Sequence, residues 1–232
     1  MTTRSQIQPL PFRRMRMDAA LAASSCQAVT DAIRDIYAQD MEKLNFEQLY
    51  RRVYEVVLNK HGELMYSEVA TALMAEVEGL RTSLVAVADD GGGGGSFLRE
   101  LLSKWRRHTE AVAAVRDMVM YMERTFVVTY RKVSVQELGV KLWRDGVVCS
   151  GDVMPRLVEA VRRERAAAEP GELMAGVAEM LTKLGDKVLS QVMDASSVDD
   201  YSSASLEKSV MDASSVDDYS SASLEKSVSE YQ

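Results

Sequence analysis

Histidine and cysteine, the residues most often used for nucleophilic, metal and redox chemistry, occur only as His61, His108, Cys26 and Cys149. Their positions show no metal-ligand spacing, and two cysteines are too few for a disulfide framework. There is no G-x-S-x-G elbow and no H-E-x-x-H pair. Gly91 to Gly95 with Ser96 would be the one candidate for a phosphate-cradling loop, but no Gly-Lys-Ser/Thr follows and no strand precedes, so it reads as a flexible linker. His61, after Lys60, reads as a cation favoured at a helix C-terminus. His108 follows Arg106 and Arg107 on what reads as a solvated face. Glu-rich helix faces are solvent-facing by default. No catalytic residue, metal or cofactor is therefore expected.

Recognition chemistry is better represented. In LNFEQLYRRVYEVVLNKHG (residues 44–62), Glu47, Tyr50 and Tyr54 recur at i, i+3, i+7, a stripe about 100° around a helix from Phe46, Leu49, Val53, Val56 and Val57. The second group reads as the buried face. The first has two readings: a contact surface, since tyrosine offers rigid apolar area with a polar tip, or a core margin with hydroxyls in water. The helix itself is well marked. Asn45 and Gln48 have capping-box spacing, Leu44 and Leu49 that of a hydrophobic staple, and Gly62 is placed to stop it.

The elements around this helix are helical too. Residues 1–17, with Pro9, Pro11 and four arginines, form an extended arm, disordered unless a partner orders it. Asp18 can cap a helix to about Gln39 with Leu21, Val29, Ile33, Ile36 and Tyr37 inward, and another runs from about Glu63 to Ala88. Residues 97–129 read as two helices that break near His108 and Thr109, the second apolar almost all round and so central to a bundle. Tyr121 and Arg124, at i, i+3 near its end, are placed to be exposed together. Further helices are expected at about 134–147, 152–167 and 171–193. The fold class is all-α.

Charge is segregated. Residues 193–232 hold nine acids against Lys208 and Lys226, so the net −7 of the chain belongs to the tail, and residues 1–192 balance at 26 acidic and 26 basic. That is not the basic face of a nucleic-acid binder. No apolar run approaches the roughly 18 residues that span a membrane. Sparse cysteine fits a reducing compartment, the cytoplasm or nucleus. The tail repeats MDASSVDDYSSASLEKSV at 193–210 and 211–228, and its composition suggests disorder.

Several of these stretches, in order, resemble the cullin family. The residue-44 helix with KHGELMY resembles the start of cullin N-terminal domains, with their LYxxxYxxVLxKHGExLY pattern. FLRELLSKWRRHTEAVAAVRDMVMYMERTFV resembles the family's long helix pair with its MYMDR-type end. ELGVKLWRDGVV and VRRERAAAEPGEL resemble the opening of a second cullin repeat. The likeness covers about residues 15–190. It implies a five-helix cullin repeat at 18–130, within which the linker 91–96 falls, and a partial second repeat at 131–192; residues 193–232, outside the likeness, are the tail whose composition suggests disorder. It further implies a scaffold of RING ubiquitin ligases, from the branch that docks BTB-domain adaptors. By that resemblance the adaptor surface comprises Leu44, Phe46, Glu47, Tyr50 and Tyr54, completed by Tyr121 and Arg124, with Phe12, Met15 and Met17 of the arm filling a groove on the adaptor. The resemblance favours the contact-surface reading of the tyrosines.

Two departures accompany it. Five glycines replace helical residues, and the sequence stops inside the second repeat, before the family's C-terminal globular domain with its RING-binding region. The half-built repeat predicts uncovered apolar faces after Ser134, and the missing domain predicts no RING-subunit contact. A truncated decoy or a non-functional cullin fragment is the alternative expectation.

Overall fold

The computed structural model describes residues 17–86, 95–166 and 171–197, and every regular element among them is helical. Helix α1 (Ala19–Tyr37) starts where the Asp18 carboxylate accepts the Leu21 N–H at 2.8 Å. After a 3₁₀ turn (Met41–Lys43) come α2 (Phe46–Leu58) and α3 (Gly62–Val85). α4 (Gly95–Met118) leads into α5 (Met120–Met122), which continues as a π-helical turn, Glu123–Val127. α6 (Val135–Trp143) likewise runs into a π-helical turn, Arg144–Val148, and α7 (Val153–Ala166), α8 (Glu172–Leu184) and α9 (Asp186–Ser197) complete the described chain. The buried side chains form one continuous core from Met17 to Val192. α4 is its axis, packed against α1, α2 and α3 on one side and α6, α7 and α8 on the other.

Several local expectations need correction. α4 does not break at His108. The chain bends at Val119 (φ −97°, ψ 18°), and Trp105, His108, Val112 and Val115 all point inward. The polar run RRHTE hid this because Arg106 and Glu110 face water while His108, one residue in five, is 1% exposed. Leu21 is exposed rather than inward; Ala22, Ser25 and Cys26 are the buried residues there. Gly95 and Ser96 are the first turn of α4 and not linker, while residues 87–94 lie outside the described part. The helix expected over 171–193 is two, broken at Gly185 (φ +116°), a conformation that favours glycine.

The expected uncovered apolar faces are also absent. Among the described residues, no large hydrophobic side chain after Val133 is exposed. α8 lies along α4 and α6, and α9 closes over α7 and α8, so these helices cover one another. α9 also runs through Met193 to Ser197, so the tail's first five residues are helical, with Ser196 buried. Residues 198–232 lie outside the described part.

Candidate functional site: the outer face of α2

α2 ends two residues earlier than its sequence suggests, and not through Gly62. Lys60 takes the left-handed conformation (φ +69°), with its N–H on the Val57 carbonyl and the His61 N–H on that of Val56, both at 3.1 Å. This is a Schellman closure with lysine where glycine is usual. His61 is thus the residue preceding α3, not a C-terminal cation of α2. Gly62 serves by its size instead. A Cβ there would lie 2.5 Å from Phe126 Cδ2, so the ring of the π-helical turn seats directly on the start of α3. At the other end of α2 the Asn45 side chain accepts the Gln48 N–H at 3.0 Å, the expected N-cap.

The inner face of α2 is Leu49, Val53 and Val56, fully or nearly buried, with Val57 at the margin. Phe46, expected on that face, is 37% exposed. It starts an outer row with Tyr50 (40%), Tyr54 (39%) and Leu58 (37%), at i, i+4, i+8, i+12, where helical residues stack along one side. Leu58 was missed from sequence. The four-residue spacing that joins it to Phe46 and the tyrosines is the signal that could have found it. Leu44 is half-buried against the core beneath the row. Glu47 is exposed and pairs with Arg51 at 3.2 Å.

α5 packs beside α2 and brings Tyr121 to the row: the Tyr54 and Tyr121 rings meet edge to face, 4.6 Å between centroids. Arg124 is exposed on the π-helical turn that follows. The turn is held from behind. Glu123 Oε1 accepts the Val135 N–H at 2.7 Å, the Tyr66 hydroxyl donates to the Val133 carbonyl at 2.9 Å, and Lys132 pairs with Glu63 at 3.0 Å. The fold therefore groups Phe46, Glu47, Tyr50, Tyr54, Tyr121 and Arg124 on two adjacent elements. Phe12 and Met15 lie outside the described residues; Met17, expected with them in a groove on the adaptor, is instead buried in the core, its N–H directed to Asn59 Oδ1 at 3.4 Å at the C-terminal end of α2.

Nothing in this face supports covalent chemistry. Cys26, away from it, is buried, and desolvation pushes its thiol up to about 11, which keeps it unreactive. Among the described residues, no group of three or more His, Cys, Asp or Glu side chains is arranged to hold a metal, and no helix is long and apolar enough to cross a membrane.

Helices packed on both sides of α4, with an exposed row of aromatic and aliphatic side chains on α2, place the chain in the class of all-α helical-bundle proteins. Comparison with known proteins narrows the class. Residues 26–230 match the family described as Cullin alpha solenoid domain. Cullin-3B of Arabidopsis thaliana is 34% identical over 202 residues, covering 85% of this chain and 26% of the relative, and Cullin-3A of the same plant is 35% identical over 194 residues, covering 79% and 26%. Cullin-3 of Dictyostelium discoideum is 31% identical over 159 residues, covering 66% and 20%. The chain belongs to the cullin family, and it spans between a fifth and about a quarter of the length of these curated relatives.

Proposed function

We infer that this chain is an adaptor-docking part of a cullin-RING ubiquitin-ligase scaffold and that its partner is a BTB-domain protein. The observation that carries the reading is the row Phe46, Tyr50, Tyr54 and Leu58, apolar and solvent-facing on a helix whose opposite face is fully used by the core. A row of this kind fits a partner with an apolar groove, its centre desolvated on binding and its rim polar. Tyr50 and Tyr54 are the anchors, Tyr121 holds Tyr54 in orientation, and Glu47 and Arg124 supply charges of opposite sign at the rim for register. The similarity to cullin-3 relatives favours BTB adaptors over other partners, and the arm before Met17 adds affinity through Phe12 and Met15. A scaffold role needs no catalytic group, and the cytoplasm or nucleus is the compartment that goes with it.

The test is capture of BTB domains by the full chain, with Tyr50→Ala/Tyr54→Ala beside it. Loss of at least about tenfold in affinity from a variant with unchanged helical content supports the assignment. Binding that survives the double change places the adaptor surface elsewhere.

A further inference from the structure

The last turn of α9 is gripped from α7 by contacts whose residues all recur in the sequence. The Arg165 guanidinium donates to the Met193 carbonyl at 3.3 Å and to Ser196 Oγ at 3.0 Å, and lies 2.8 Å from Met193 Sδ. The Arg162 guanidinium donates to the Ala195 carbonyl at 3.3 Å. Met193, Ala195 and Ser196 belong to the first copy of MDASSVDDYSSASLEKSV, and Met211, Ala213 and Ser214 repeat them 18 residues later. The core-facing stripe recurs as well. α9 buries Val188, Val192 and Ser196 at i, i+4, i+8, and the same offsets downstream carry Leu206, Val210 and Ser214.

We propose that the α7–α8 groove has two occupants within one chain, α9 (186–197) and the segment 204–215, which replaces it by an 18-residue register shift. The arginines read two main-chain carbonyls, a serine hydroxyl and a methionine sulfur, and none of these distinguishes the copies. The exchange loops out residues 186–203, and loop-closure cost grows only slowly with length. What favours the first copy is Leu189, packed against the core, where the second copy has Glu207; seating a carboxylate there is costly. The 204–215 register is thus the minor one, drawn on when the first is damaged or withdrawn.

The experiment compares full-length Val192→Asp, Val210→Asp and the double variant by thermal unfolding and amide hydrogen exchange. Val210→Asp alone should leave the melting temperature unchanged. Val192→Asp should lower it, and adding Val210→Asp should lower it by a further ~3 °C or more, because the substitute has been removed. Amides of 204–215 should exchange at least about tenfold more slowly in Val192→Asp than in the double variant. If the single and double variants melt and exchange alike, the proposal falls. Slowed exchange accompanied by dimer formation also overturns it, since the segment would then be seated on another molecule. Should Val192→Asp not fold, Val192→Ala takes its place in the same comparison, and the same results support or overturn the proposal.

Discussion

The Tyr37 hydroxyl donates to His108 Nδ1 at 2.8 Å, inside the core and across 71 residues of sequence. The other ring nitrogen, Nε2, faces the Gly139 carbonyl at 2.9 Å; a carbonyl can only accept, so Nε2 carries a proton, and burial keeps the ring neutral, which leaves Nδ1 to accept from Tyr37. The ring lies against Trp143, 5.2 Å between centroids. One imidazole therefore joins α1, α4 and α6.

Burial, partly opposed by the Gly139 hydrogen bond, holds the His108 imidazole down to about 4. Its unfolded value is about 6.5. The unfolded chain then binds a proton that the folded chain refuses, so stability is whole above pH 6.5 and falls as pH drops from there towards 4. About 2 kcal/mol should be lost by pH 5 at this one site. Urea midpoints at pH 7.5 and 5.0 check it: His108→Gln should be weaker at pH 7.5 and should lack this share of the acid loss.

Tyr37→Phe deletes the hydroxyl and leaves Nδ1 buried without its donor. A cost of about 1–3 kcal/mol is expected from an unpaired buried acceptor, measurable by denaturant unfolding at neutral pH.

The edge-to-face contact of Tyr54 and Tyr121 should appear as a coupling of about 0.5–1.5 kcal/mol in a double-mutant cycle to Leu. In adaptor binding, Tyr121→Leu should then act mainly through Tyr54, so its effect should shrink in the Tyr54→Leu background.

Gly62→Ala sets a methyl against Phe126 and should destabilise by roughly 1–3 kcal/mol. Lys60→Gly relaxes a left-handed lysine at the Schellman closure and should stabilise by roughly 0.5–1 kcal/mol. Thermal scans of the two variants should therefore shift in opposite directions, although both changes lie within three residues of one turn.

Periodicity made α2 readable from sequence, including its start at Asn45, its inner face and the tyrosines of its outer one, since a short amphipathic helix carries its own pattern. What could not be read depends on neighbours distant in the chain. His108 looked solvated beside two arginines because nothing local shows Tyr37 and Gly139 closing on it. Gly62 looked like a helix stop because glycine commonly is one, and the ring that needs its space comes from residue 126. Phe46 fits the inner stripe by spacing, yet at the first turn of α2 it stays 37% exposed and lines up with Tyr50 and Tyr54. The second group of helices looked incomplete by length, and only packing shows α8 and α9 closing over what precedes them.

α4 is a single 24-residue rod, about 36 Å long, built into both halves of the molecule. Among the described residues, the half that carries the tyrosine row and the half that ends in α9 are both packed against this same rod. A displacement forced on α2 would therefore reach the α9 end through α4, as a tilt of the rod and not as a bend within it.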